Sequence, residues 1–97
     1  MKSAFWVIAW RSVSDPSAVE RYAATAGAVI LAHGGRYLAR GNPSKAYEAG
    51  LLARVVVVQF ESLAKAVAAY ESPEYQEAVA HLAGAAERDV RIVESVE

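Results

Sequence analysis

The sequence predicts an α+β fold with the element order β-α-β-β-α-β. Three observations carry that prediction. Residues 3–11, 36–41, 54–60 and 89–96 read as strands, dense in β-branched and aromatic types or in alternating apolar and polar ones. Two longer segments between them repeat apolar residues at spacings of three and four, the period of a helix buried on one side. Each of these segments opens on a capping signal.

In the first strand, residues 3–11, Trp6, Ile8 and Trp10 point one way and Phe5, Val7 and Ala9 the other. Both faces are apolar, so both need cover. Asp15-Pro16 starts the first helix: aspartate accepts from free backbone N–H groups, and proline suits the first turn. Val19, Tyr22, Ala23, Ala26, Ile30 and His33 form its inward stripe. Gly34-Gly35 ends it, since glycine takes the left-handed conformation needed there. The second strand, RYLARG over residues 36–41, places Arg36, Leu38 and Arg40 on one face by simple alternation, and Gly41-Asn42-Pro43 breaks it. A polar loop covers residues 44–51. The third strand, residues 54–60, contains four consecutive valines. Ser62 caps the second helix, with Leu63, Ala66, Val67 and Tyr70 inward. Ser72-Pro73-Glu74 restarts it after a kink or short break at residue 71. Tyr75, Val79 and Leu82 continue the stripe, and residues 89–96 form the last strand.

This order is the ferredoxin-like split βαβ plan: a four-stranded antiparallel sheet with two helices on one face. Right-handed crossovers place both helices on the same side. The other side is left open, although the first and third strands are apolar on both faces. Burying such side chains contributes about 1.5–3 kcal/mol each, so a homodimer packed through the open sheet face is expected. The alternative cover, the loop over residues 42–52, has few large apolar side chains.

At 97 residues, with no linker or repeat, one domain spanning residues 1–97 is expected. Apolar residues make up 55% and charged residues 22%, which excludes a disordered tail. The net charge of -1 and the lack of a basic stripe argue against a nucleic-acid partner. The absence of cysteine excludes disulfides, thiolate metal sites and cysteine nucleophiles. The histidines are His33 and His81 alone, with no carboxylate grouping beside them, so no metal and no cofactor is expected. The opening MKSAFWVIAWRS is too short and too alternating for a signal peptide. No stretch approaches the ~18 apolar residues of a spanning helix. A cytoplasmic protein with no membrane partner is the resulting expectation.

The segments HGGRYLARG (residues 33–41), RVVVVQFES (54–62) and AAYESPEY (68–75) resemble the family called DUF 1330, a domain of unknown function. DPSAVERY (15–22) and ERDVRIVE (87–94) fit the same pattern, so the resemblance spans nearly the whole chain. It implies a ferredoxin-like dimeric α+β barrel and no particular reaction. It also implies kinship with small monooxygenases, isomerases and decarboxylating enzymes, and with stress-related and heme-degrading proteins; fold kinship transfers no activity. The chain departs from the family in having Gln59 where members often carry Glu, Ala69-Tyr70 where they often carry Trp-Tyr, and AGLLAR where a Trp is common. The resemblance therefore carries over neither an acid at 59 nor an aromatic wall at 69.

Among candidate site residues, His33 is either a general base or a side chain bonded at the negative end of its helix. Arg36 and Arg40 suit bidentate carboxylate or phosphate binding, salt bridges across a dimer, or charge protection of a strand edge; Arg40, at the strand end, is the better ligand candidate. Gln59, a polar amide in an apolar strand, needs partners from a ligand or from a dimer mate. Tyr22 and Tyr70 are core aromatics by spacing; Trp6 and Trp10 share a strand face and are expected to pack at the sheet or the dimer interface; the Tyr75 hydroxyl is placed to reach a pocket. Arg88 and Asp89 read as a local ion pair. Glu71, Glu74 and Glu77 face solvent, Gly34-Gly35 follows a helix and so is no phosphate loop, and His81 reads as exposed, which leaves heme or metal binding unsupported. Two functional readings stand. One is a small-molecule binding protein or cofactor-free enzyme, with His33 as the weak catalytic candidate and Arg40, Gln59 and Tyr75 around a small organic acid or aromatic metabolite. The other is a non-catalytic dimeric structural or stress-related module, its helix–sheet space filled by side chains.

Overall fold

A computed structural model describes residues 2–97. The elements are β1 (Ala4–Val13), α1 (Pro16–Ala32), β2 (Arg36–Gly41), β3 (Val55–Phe60), α2 (Leu63–Glu71), α3 (Pro73–Ala80) and β4 (Ala86–Glu94). The strands form one sheet in the order β2-β3-β1-β4, every pairing antiparallel. This is the ferredoxin-like α+β arrangement the sequence predicts.

The caps act as their chemistry requires. Asp15 accepts from the Ser17 backbone N–H at 3.1 Å, and Ser62 from that of Lys65 at 3.2 Å. The second helical segment divides in two at Ser72, which ends α2 and starts α3. Its hydroxyl donates to the Ala69 carbonyl at 2.8 Å and accepts from the Tyr75 N–H at 3.2 Å. Pro73 has no N–H to carry the helix through, so the break falls here. Gly34 adopts φ 85°, and Gly35 packs so closely that a Cβ would stand 2.6 Å from Ile30 Cγ2 and 2.9 Å from Phe60 Cζ.

Beneath the helices lies one core. The sheet contributes Trp6, Ile8, Val56, Val58 and Phe60; α1 contributes Ala26 and Ile30; α2 and α3 contribute Ala66, Ala69, Tyr75 and Ala78. The alanines let the helices approach the sheet, and the aromatics fill the space between. Trp6 sits at the centre: its Nε1 donates to the Ala66 carbonyl at 2.8 Å, and its ring lies 4.8–5.6 Å from those of Tyr75, Phe60 and Tyr70.

The register corrects three readings. β1 runs on to Val13 and β4 begins at Ala86, because Ser12 pairs with Glu87 and Val13 with Ala86 beyond a bulge at Arg11. β2 carries a bulge at Leu38: Tyr37 stands opposite Val58, but Ala39 stands opposite Val57 and Arg40 opposite Val56. One extra residue reverses the alternation. Tyr37 and Arg40 therefore share the helix side with Val58 and Val56, while Arg36 lies on the open side opposite Gln59. Arg36 and Arg40 do not share a face. Third, Asp89 pairs with Arg91 and not with Arg88, at 3.0 Å between Oδ1 and Nε. Strand alternation puts Asp89 and Arg91 on the open side and Arg88 on the helix side, opposite Trp10.

The open face carries Phe5, Val7, Ala9, Val55, Val57 and Val93. Val7 is 36% exposed and Val93 52%. Ala49, Gly50 and Leu51 of the loop between β2 and β3 line a cavity together with Ala9 and Val55 at one end of this face, and the loop's large apolar residues Tyr47, Leu51 and Leu52 are themselves exposed.

Candidate functional site

Between α1 and the β2–β3 side of the sheet lies a cleft of about 190 Å³. Val19, Ala23, Ala26 and Gly27 of α1 form one wall; these side chains are small, so the helix does not close the space. Trp10 and Val56 form the floor. Tyr37, Arg40 and Arg54 stand at the β2–β3 side. The bulge at Leu38 is what brings Tyr37 and Arg40 here, and Arg54 arrives from the loop just before β3.

The Arg40 guanidinium lies 4.4 Å from the centre of the Tyr37 ring. Burial raises the Tyr37 pKa above 10.0, Tyr22 nearby adds to the rise, and Arg40 and Arg54 oppose it. Tyr37 is thus a neutral phenol at physiological pH. Neither Arg40 nor Arg54 has a carboxylate within 4.0 Å among the described residues. The cleft thus sets two exposed cations beside an apolar, aromatic wall.

Behind the floor a polar cluster crosses the core. The Tyr22 and Tyr75 hydroxyls are 2.6 Å apart, and Arg88 Nη1 donates to the Tyr22 oxygen at 3.2 Å. The Arg88 guanidinium lies 5.1 Å from the Trp10 ring centre and 5.0 Å from that of Tyr22. Burial pushes the Tyr75 phenol well above its ordinary value, and Tyr22 adds to this against the opposing charge of Arg88. Burial works against the Arg88 charge, but the two phenols outweigh it and its pKa rises. Trp10 Nε1 is the one buried side-chain polar atom among the described residues with no hydrogen-bond partner.

The four residues singled out from the sequence do not converge. Arg40 lies in the cleft. Tyr75 is fully buried and its hydroxyl reaches Tyr22 instead of a ligand space. Gln59 is on the opposite side of the sheet, beside Phe5, and its Nε2 donates to Ser3 Oγ at 3.2 Å. His33 caps α1 through its backbone N–H, and its Nε2 stands 3.7 Å from Glu74 Oε1, tying α1 to the start of α3. Trp6 and Trp10 both belong to the helix-side core. Reading by alternation missed Tyr37, and reading by ion-pair proximity missed Arg88. Arg54 carried no signal beyond its charge. Among the described residues no three histidine or acidic side chains gather in a metal-ligating group, and no helix is long and apolar enough to cross a membrane.

A family model described as "Domain of unknown function (DUF1330)" matches residues 3–96. No curated protein matches the chain. Among solved structures, the chain is similar to a protein of unknown function from Rhodopseudomonas palustris, at 19% identity and TM-score 0.72, covering 99% of this chain and 84% of that one. A dimeric ferredoxin-like protein of unknown function from Thermobifida fusca is similar at 18% identity and TM-score 0.66, covering 97% and 92%. A cofactor-independent oxygenase from Streptomyces nogalater is similar at 11% identity and TM-score 0.62, covering 100% and 96%. At these identities the likeness is one of fold.

Proposed function

The chain belongs to the DUF1330 family, and we propose that it is a homodimer that binds a small organic acid with an aromatic or branched apolar body in the cleft between α1 and β2–β3. The observation that carries this reading is the pairing of two arginines without carboxylate partners, Arg40 and Arg54, with walls made of Trp10, Val19, Ala26 and Val56. The guanidinium forks take the carboxylate, the neutral Tyr37 hydroxyl donates to it, and the apolar wall takes the body. The cleft, at about 190 Å³, is smaller than the ~300–1,000 Å³ of sites for drug-sized ligands. That limits the ligand to a small metabolite.

The dimer forms through the open sheet face. Phe5, Val7, Val57 and Val93 supply its apolar centre, and the Arg91–Asp89 pair and Gln59 supply polar contacts. A second copy there leaves the helix side, and so the cleft, accessible. The dimeric description of the Thermobifida fusca protein supports the same assembly.

A thermal-shift screen of small aromatic and aliphatic carboxylates, each beside its neutral amide, tests the binding reading. Carboxylates are expected to raise the unfolding midpoint and amides not. Arg40→Gln is expected to weaken the response about tenfold or more. Equal responses from acids and amides would refute it. For the assembly, sedimentation at micromolar concentration is expected to give a dimer, and Val57→Asp a folded monomer. A wild-type monomer would refute the dimer.

A further inference from the structure

We infer that Arg88 anchors a second small-molecule site, in the cleft between α3 and β4, which takes the carboxylate of a ligand with an apolar body. The β1–β4 register sets Arg88 opposite Trp10, on the helix side of an otherwise apolar face. There it is held from several sides. Nη1 donates to the Tyr22 hydroxyl, and the guanidinium faces both the Trp10 and Tyr22 rings.

Arg88 is half-buried, and a partly desolvated guanidinium favours an anionic partner. Among the described residues no carboxylate lies within 4.0 Å of Arg88. Two phenols supply oxygen lone pairs but no formal charge. The guanidinium has five N–H donors in a fixed fork. Those not engaged by tyrosine are not buried orphans, because Trp10 Nε1 is the one such atom among the described residues. They therefore reach open space.

That space is the cleft Arg88 lines, of about 400 Å³, walled by Tyr70, Val79, Leu82, Ala86 and Val90, with Gln76 at its side. Gln76 Nε2 is already committed to the Tyr70 carbonyl at 2.6 Å. Arg88 is thus the one charged group in the lining. A single guanidinium balances one negative charge, which suits a carboxylate better than a phosphate dianion, and the aliphatic walls suit an apolar body. The site is separate from the α1 cleft: Trp10 and Tyr22 line that one and Arg88 lines this one, with the three side chains stacked between.

The test is an NMR titration of the full chain, ¹⁵N-labelled, with benzoate, benzamide and inorganic phosphate as probes up to tens of millimolar. Benzoate is expected to shift the Arg88 guanidinium N–H signals together with the Val79, Leu82 and Val90 amides. Benzamide is expected to bind at least tenfold more weakly. Arg88→Gln is expected to abolish the shifts. Should that variant fail to fold, Ala83→Trp fills the same cleft from an exposed position and is expected to abolish them with Arg88 intact. Arg40→Gln, in the other cleft, is expected to leave them unchanged. Shifts confined to Val19, Ala23 and Val56, equal binding of benzamide, persistence in Ala83→Trp, or no response to benzoate would each overturn the inference. Phosphate shifting the Arg88 signals as strongly as benzoate would overturn the carboxylate assignment in favour of free phosphate. Absence of binding in the α1 cleft alone would leave this site standing and refute only the α1-cleft reading.

Discussion

Replacing Tyr75 by phenylalanine probes the polar cluster through its most enclosed member. Tyr75 is 0% exposed and its hydroxyl is 2.6 Å from that of Tyr22. The ring stays in place in the variant, so the packing against Trp6 and Tyr70 is kept. What is lost is one buried hydrogen bond between neutral groups, which contributes about 1 kcal/mol. Tyr22 keeps its bond from Arg88, so no oxygen is stranded. For a chain of this size 1 kcal/mol corresponds to a fall of ~4–8 °C in Tm. The pH dependence is the sharper readout. Burial holds the folded-state pKa of Tyr75 well above 10.0. As pH rises past 10, the unfolded chain releases that proton while the folded chain keeps it. The unfolded state then binds fewer protons, and stability falls by about 1.4 kcal/mol per pH unit from this group alone. The stabilisation is complete below pH 10 and is lost as pH rises. Tyr75→Phe lacks this loss. Its deficit of about 1 kcal/mol at pH 7 is therefore expected to vanish within about one unit above pH 10. Urea unfolding followed by circular dichroism from pH 7 to 11.5, at fixed protein concentration, measures both curves. Parallel curves would show that Tyr75 ionises as readily folded as unfolded, and would refute the reasoning.

Further outcomes follow from the packing. Gly35→Ala introduces a Cβ 2.9 Å from the Ile30 carbonyl oxygen as well as against Ile30 Cγ2 and Phe60, and backbone gives way poorly. A loss of about 1–3 kcal/mol is expected by thermal or urea unfolding, and an unchanged midpoint would contradict the close approach. Ser72→Ala removes the hydroxyl that ends α2 and starts α3. About 1 kcal/mol of stability is expected to go, with faster amide hydrogen exchange at Tyr75 and Gln76; Ser72→Asp, which restores an acceptor at the α3 start, is expected to recover part of it.

Much of the fold is legible in the sequence because its signals are local. Asp15-Pro16, Ser62 and Ser72-Pro73 mark helix starts through the chemistry of free N–H groups, and Gly34 marks an end through its backbone freedom. The two-sided apolar pattern of β1 and β3 identifies a sheet with a face still to be covered. The site was less legible because it depends on register, which is set by the partner strand. Alternation along β2 put Arg36 with Arg40, and only the bulge at Leu38 turned Arg40 and Tyr37 toward α1. Arg88 looked like the partner of its neighbour Asp89, yet adjacent strand residues point to opposite faces, and pairing with Trp10 turned Arg88 inward. The Tyr75 hydroxyl, free to reach a pocket by sequence alone, was taken up by Tyr22 once α3 packed on α1. The chain by itself determined the order of elements and where the helices begin, because caps, breakers and periodicity act within a few residues. Which charged and phenolic groups share an enclosed space was decided only by tertiary structure, because a one-residue change in pairing moves every following side chain to the other face.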